Sequence, residues 1–153
     1  MTERVTSESP SDKINTELSA RRTGMSFQRT RLSADRTLMS VIRTSLSLIG
    51  FGFTIYQVFE KLREAGTLTH AGAPRNFGIT LVLLGIGMLV LGIVYHVRFM
   101  LGLRHERHEM TRDGLIHGES QFPTSMTLIV ALLLLVVGVF AILSMVFDIG
   151  PFD

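Results

Sequence analysis

The sequence has no cysteine and no tryptophan among its 153 residues. The absence of cysteine excludes disulfides, thiolate nucleophiles, zinc–thiolate sites and iron–sulfur clusters. Charge is scarce as well, because 18% of the residues are Asp, Glu, Lys or Arg, compared with about 25% in an average soluble domain. Hydrophobic residues make up 46% of the chain, and the mean hydropathy is +0.37. This composition excludes an ordinary globular enzyme.

Three long runs have no charged residue. Residues 44–59, 77–95 and 126–147 contain no Asp, Glu, Lys or Arg. A helix needs about 20 apolar residues to cross a hydrocarbon core about 30 Å thick, and the first run reaches that length if its helix begins before residue 44. We predict an all-α membrane protein with three transmembrane helices, at residues 27–64, 76–110 and 124–148. The spans leave no room for a catalytic domain, so we do not expect an enzyme.

The first 26 residues are polar and contain no apolar run. This composition predicts a disordered cytoplasmic tail over residues 1–26, followed by one three-helix transmembrane domain over residues 27–153. Gly66 is predicted to end the first helix, because glycine adopts the left-handed conformation at low cost. Asn76 is predicted to cap the second helix.

The basic residues are distributed unevenly across the predicted spans. When Arg43 is counted inside the membrane-spanning part of the first helix, seven Lys or Arg residues come before that part, three lie between the first and second membrane-spanning parts, four lie between the second and third, and none follows the third. Loops rich in Lys and Arg stay in the cytoplasm. We therefore predict a multi-pass protein of the cell (inner) membrane, surrounded by membrane lipids. Its N-terminus and the 98–124 loop are cytoplasmic, and its C-terminus is extracytoplasmic.

The first helix carries a polar stripe, which we define as Arg29, Ser33, Arg36, Ser40, Arg43, Ser47, Gly50, Thr54 and Gln57. The spacing alternates between four and three residues, as on one face of a left-handed supercoiled helix. From Arg36 to Gln57 the stripe covers roughly 32 Å, which is close to the hydrocarbon thickness. An arginine near the centre of a bilayer costs from about 2.5 kcal/mol upward and usually faces a bundle interior or water.

Two explanations of Arg43 remain open. Its side chain can reach back to lipid phosphates, or it can face the axis of a homo-oligomer. The first explanation accounts for Arg43 alone, and the other spans offer few polar partners for the stripe: Thr80, His96 and Ser144. We therefore predict a helical-bundle protomer in a homo-oligomer. The predicted anion-facing or pore-lining residues are Arg29, Arg36, Ser40, Arg43, Ser47 and Thr54.

The segment Leu32–Phe53, LSADRTLMSVIRTSLSLIGFGF, resembles the signature of the YidH family, also called domain of unknown function 202. That signature reads L-A-x-E-R-T-x-L-A-W-x-R-T-x-L-A at the head of three transmembrane helices. Asp35 stands where the family has glutamate, and Val41 stands where it usually has tryptophan. The residues that match directly are Leu32, Arg36, Thr37, Arg43, Thr44 and Leu46.

The same domain is similar to the membrane subunits of the vacuolar transporter chaperone complex. In those subunits, the first helices of a ring line a basic path for polyphosphate. The resemblance implies that Arg36 and Arg43 face inorganic anions, in a homo-oligomer that is a pentamer by analogy. It also implies inter-helix partners, which we place at Asp35, Thr37 and Thr44.

An alternative function remains open. In it, the protein is an accessory or scaffold membrane subunit that does not transport, and its arginines bind anionic lipid or a partner protein. Other candidate sites are weak. His105, His108 and Glu109 share one helical face and could hold a metal, but a solvated face with Glu–Arg pairs is favoured. We expect no metal, no cofactor and no nucleic-acid partner.

Two further patterns lie on the second span. Gly78, Gly85 and Gly92 recur every seven residues. Small residues allow membrane helices to approach closely, so this face is predicted to pack against a neighbouring helix. His96 lies near the end of the same span and His117 in the loop that follows. Both are isolated in the sequence, and we interpret both as bystanders.

Overall fold

The computed structural model describes residues 10–66, 72–113 and 125–147. It contains three helices: α1 (Ser11–Glu64), α2 (Gly72–Arg112) and α3 (Met126–Phe147). All three are long and apolar enough to cross a membrane, by length and composition. The prediction of an all-α protein with three transmembrane helices is confirmed. The predicted helix ends at residues 124 and 148 lie outside the described residues.

The first helix begins earlier than the sequence predicts. Residues 11–26 are part of α1 rather than a disordered tail, and residues 1–9 lie outside the described residues. Asp12 lies in the first turn, where a negative charge stabilises the helix dipole. Glu17 accepts a hydrogen bond from Arg21 Nε at 2.8 Å, and Ala20 is buried. Only one narrow face of residues 11–26 packs against the rest of the protein. The remaining faces are mostly polar, so the segment contains no continuous run of apolar residues.

The N-terminal part of α1 packs against the C-terminal part of α2. Phe27 of α1 is buried against Leu103 of α2, with Met100 and Met110 packed around them. Because α1 has 54 residues, it is about 81 Å long, more than twice the hydrocarbon thickness of about 30 Å. The two helices therefore extend together, as an antiparallel pair, beyond the membrane-spanning part.

Within the spans, α1 and α2 approach closely along a line of glycines on α2: Gly78, Gly85 and Gly92. A Cβ atom at Gly78 would lie 2.7 Å from the carbonyl oxygen of Gly52. At the two other glycines it would lie 2.8 Å from Ile49 Cγ1 and 2.6 Å from Val41 Cγ1, respectively. The prediction that this face packs against a neighbouring helix is confirmed, and the neighbour is α1.

The third helix packs against both others in two buried clusters. One cluster joins Leu38 and Ile42 of α1 to Leu89 of α2 and Ala131 of α3. The other, nearer the end of α1, includes Tyr56, whose hydroxyl donates to the carbonyl oxygen of Met145 at 2.9 Å. That carbonyl lies in the last turn of α3, where carbonyls have no partner within the helix. The tyrosine therefore ties the C-terminal end of α3 to α1.

The ends of α1 and α2 test two sequence predictions. Gly66 has φ of 70°, so the prediction that a left-handed glycine ends the first helix is confirmed. The prediction that Asn76 caps α2 is wrong, because α2 begins at Gly72 and the Asn76 carbonyl accepts a hydrogen bond from the Thr80 hydroxyl inside the helix. A proline fits in the first turn of a helix, so Pro74 does not prevent this earlier start.

Candidate functional site

The polar stripe lies on the face of α1 that points away from α2 and α3. Its exposed members are Arg29, Ser33, Arg36, Ser40, Arg43, Ser47, Gly50 and Thr54. The buried residues of the same stretch are Leu38, Ile42, Ser45, Ile49, Gly52 and Tyr56. At 3.6 residues per turn, these two sets occupy opposite sides of the helix. The stripe is therefore not covered by any described part of its own protomer.

Three arginines form the charged part of the stripe. Arg29, Arg36 and Arg43 are spaced seven residues apart, which corresponds to about 10.5 Å along the helix. Among the described residues, no carboxylate forms an ion pair with any of the three. The hydroxyls of Ser47 and Thr54 donate to carbonyl oxygens one turn earlier in α1, at 3.0 and 2.9 Å. The stripe thus presents three guanidinium groups with small polar residues between them.

A second polar group, the Asp35 cluster, joins all three helices and consists of Arg31, Asp35, His96 and Ser125. The Ser125 hydroxyl donates to Asp35 Oδ1 at 2.6 Å, and His96 Nε2 lies 3.6 Å from the same oxygen. Arg31 Nε lies 4.0 Å from Asp35 Oδ2. Asp35, a predicted inter-helix partner, therefore contacts α2 and Ser125, the residue immediately before α3, of its own protomer.

The other two predicted inter-helix partners stay with their own helix. The Thr37 hydroxyl donates to the Ser33 carbonyl oxygen, and the Thr44 hydroxyl donates to the Ser40 carbonyl oxygen, both at 3.1 Å. Both threonines are exposed. The structure does not bring either of them to another helix of the protomer.

His96 is the residue that the sequence interpretation missed. It is 3% exposed, and neither of its ring nitrogens has a hydrogen-bond partner among the described residues. His96 is not isolated in the structure, because its ring lies against Asp35 of α1, with Nε2 3.6 Å from Oδ1. An ionisable residue within a membrane-spanning segment is by itself a signal of a functional site, and that signal was available in the sequence.

The charged face at the end of α2 is solvated. His105 Nε2 lies 3.5 Å from Glu109 Oε1, with side chains 75% and 64% exposed. His108 is also exposed. His105 and Glu109 thus form a histidine–carboxylate pair like that of His96 and Asp35, but at the surface.

Three long apolar helices define a multi-pass membrane protein. Residues 21–102, more than half of the chain, match the family described as Domain of unknown function (DUF202), and the protein belongs to this family. The matched region contains the whole polar stripe, Asp35 and His96, whereas Ser125 lies beyond it. No curated protein and no solved structure matches the chain.

Proposed function

We propose that this protein is a homo-oligomer of the cell (inner) membrane whose α1 helices turn the polar stripe toward a shared axis. The stripe then forms a basic path for inorganic anions, phosphate or polyphosphate, and the protein catalyses no reaction. The observation that carries the proposal is the exposure of the stripe on the outer face of the protomer. A guanidinium left in lipid costs from about 2.5 kcal/mol upward, and a shared polar axis removes that cost.

An apolar ridge beside the stripe supports the assembly. Its members are Leu18, Met25, Leu32, Met39 and Leu46, all exposed and spaced seven residues apart. A seven-residue apolar repeat favours supercoiling against another helix. Leu18 and Met25 lie well outside the apolar run of α1, where lipid tails do not cover them. A second copy of the protein covers the ridge both inside the membrane and beyond it.

The chemistry of the stripe suits phosphate-like anions. Guanidinium groups bind phosphate oxygens through two parallel hydrogen bonds. In a ring, Arg29, Arg36 and Arg43 form three successive layers about 10.5 Å apart, with Ser40 and Ser47 between them. An anion leaves one layer readily if the next offers similar binding, and such repeated sites of moderate strength allow passage.

The orientation of the chain is tested by fused reporters. The excess of Lys and Arg before the first span and between the second and third spans places both of these parts in the cytoplasm. A reporter fused after Asp153 is expected to register as extracytoplasmic, and one inserted between Arg107 and Gly114 as cytoplasmic. The opposite labelling would refute the orientation and place the arginine-rich end of the stripe outside the cell.

The assembly is tested by cross-linking single-cysteine variants in native membranes, since the chain has no cysteine of its own. Cysteines at Ser40 and Ser47 are expected to give a ladder of cross-linked species above the 17.0 kDa protomer with a short bismaleimide. The matched controls are cysteines at Ile42 and Ile49, which lie two residues further along α1 and are buried within the protomer. Those controls are expected to remain monomeric.

Two results of this experiment count against the proposal. A protein that stays monomeric at every position, in membranes and in mild detergent, has no shared axis. Equal cross-linking at exposed and buried positions shows that the reagent reports on disorder or collision and not on a defined face. Either result removes the basis for an axial path.

A further inference from the structure

The Asp35 cluster contains a buried histidine with unused hydrogen-bonding capacity. His96 is 3% exposed, and neither Nδ1 nor Nε2 has a hydrogen-bond partner in the part of the chain that the structure describes. Buried polar groups in folded proteins are almost always hydrogen-bonded. Asp35 Oδ1 lies 3.6 Å from Nε2, which is just beyond hydrogen-bond distance. The ring therefore lies next to a carboxylate without being bonded to it.

We propose that His96 and Asp35 form a proton-binding site that joins α2 to α1 and α3. A proton from solvent binds the imidazole, which becomes an imidazolium with an N–H on both ring nitrogens. Nε2–H then donates to Asp35 Oδ1 in a hydrogen bond between opposite charges, which is stronger than a neutral one. When the proton leaves, the Ser125 hydroxyl at 2.6 Å still holds Asp35, but the neutral ring keeps a single N–H, so any bond from α2 to the carboxylate is of the weaker, neutral-donor kind.

The surroundings of the pair favour a proton over other ligands. On α1, the charged group nearest to Asp35 is Arg31, whose Nε lies 4.0 Å from Oδ2, so Oδ1 remains for His96 and Ser125. Immediately before α3, Ser125 is the polar contact, and residues 126–147 of α3 contain no titratable group. On α2 itself, Arg98 follows two residues after His96 and is exposed. One carboxylate beside an arginine is a poor ligand set for a metal cation.

The position of the cluster gives the proton a short route. His96 lies two residues before Arg98, where the charge-free run of α2 ends, and Ser125 precedes the first residue of α3. Both positions lie at the end of a span, next to the solvent on that side of the membrane. Histidine has an ordinary pKa of about 6.5, so it changes charge within the physiological pH range.

The direction in which pH is expected to change the stability follows from the charge of Asp35, the partner of His96. A charged imidazolium gains a carboxylate in the folded protein and has none when the helices separate. Its contribution to stability is present while the ring is protonated and is lost when the ring becomes neutral as the pH rises. Acidification therefore strengthens the junction of the three helices, and neutralisation weakens it.

The test is the melting temperature of the purified full-length protein between about pH 8 and about pH 5.5. We expect the wild-type protein to melt about 3 °C or more higher at the acidic end. His96→Gln and Asp35→Asn are expected to abolish this rise. The matched control is His105→Gln, which removes a histidine paired with a carboxylate at 3.5 Å but exposed to solvent. The control is expected to keep the wild-type rise.

A second measurement keeps the proposal testable if His96→Gln fails to fold. The wild-type protein labelled with ¹⁵N-histidine is titrated by NMR, and the His96 signal is assigned by replacing each of the other four of the five histidines. We expect His96 to show an N–H on both ring nitrogens at the acidic end. A neutral ring throughout the titration contradicts the proposal.

Two results of the melting experiment also overturn it. One is an identical pH response of wild-type protein and His96→Gln. The other is a wild-type protein that melts lower in acid through His96, because a buried neutral imidazole then opposes protonation. The site lies within one protomer, so these outcomes do not depend on whether the stripes meet at an axis.

Discussion

Replacing Arg43 with leucine is expected to abolish the rise in melting temperature that the proposed anion path predicts for the purified protein in phosphate or short polyphosphate. If several copies of Arg43 face one axis, their charges repel each other by about 1–2 kcal/mol per pair at 10 Å and an effective dielectric constant of about 20. A bound anion relieves this repulsion, so the wild-type protein is stabilised by anions. Arg43→Leu removes both the repulsion and the binding group, and the assembly itself is expected to persist.

Two further variants make the Arg43 experiment specific. Thr44→Val changes the adjacent exposed residue, which lies beside the stripe and bonds only to its own helix, and it is expected to keep the anion response. Arg43→Glu is expected to remove anion stabilisation and to replace it with a response to cations. An identical anion response in wild-type protein and Arg43→Leu would retire the anion path. The accessory or scaffold function, with arginines bound to lipid or to a partner protein, would then be the better explanation.

Replacing Gly78 with alanine is expected to lower the melting temperature by about 2–12 °C. The new Cβ would lie 2.7 Å from the Gly52 carbonyl oxygen, a backbone atom that moves only if the helices separate. Overpacking of this kind costs about 1–3 kcal/mol, and in a chain of this size about 1 kcal/mol changes the melting temperature by about 2–4 °C.

The control for Gly78 is a glycine on the same helix. Gly87→Ala places a Cβ where no atom lies within 4 Å, so its melting temperature is expected to stay close to that of the wild-type protein. Circular dichroism in detergent measures both variants. Alanine raises helix propensity relative to glycine at both positions, so equal losses for the two variants would mean that the detergent, and not the close contact of α1 with α2, decides the stability.

The spans were predictable because membrane-crossing helices must exclude charge along their whole length. The helix over residues 11–26 was not predictable, because it depends on contact with the C-terminal end of α2. That contact surface lies about 80 residues away in the sequence. Ala20 is buried within this segment and Phe27 directly after it, and two apolar positions among polar neighbours do not show in the composition. The polar segment therefore resembles a disordered one until α2 is placed beside it.

The polar stripe and the Asp35 cluster also differ in how far each could be predicted from the sequence. The stripe depends on the spacing within one helix, so its residues could be grouped from the sequence, whereas the structure shows that they face away from the rest of the protomer. The Asp35 cluster depends on contacts between helices, and Ser125 is 90 residues from Asp35. No single-sequence pattern links such positions. The available hint was an ionisable residue, His96, in a membrane-spanning segment.

The continuity of α1 has a mechanical consequence. The helix runs without interruption from Ser11 to Glu64, so its N-terminal half and its membrane-spanning half form one rod of about 81 Å. A tilt of about 5° around one end displaces the other end by about 7 Å. Any molecule that pushes on the N-terminal end of the rod therefore changes the tilt of the helix, and with it the position of the stripe inside the membrane.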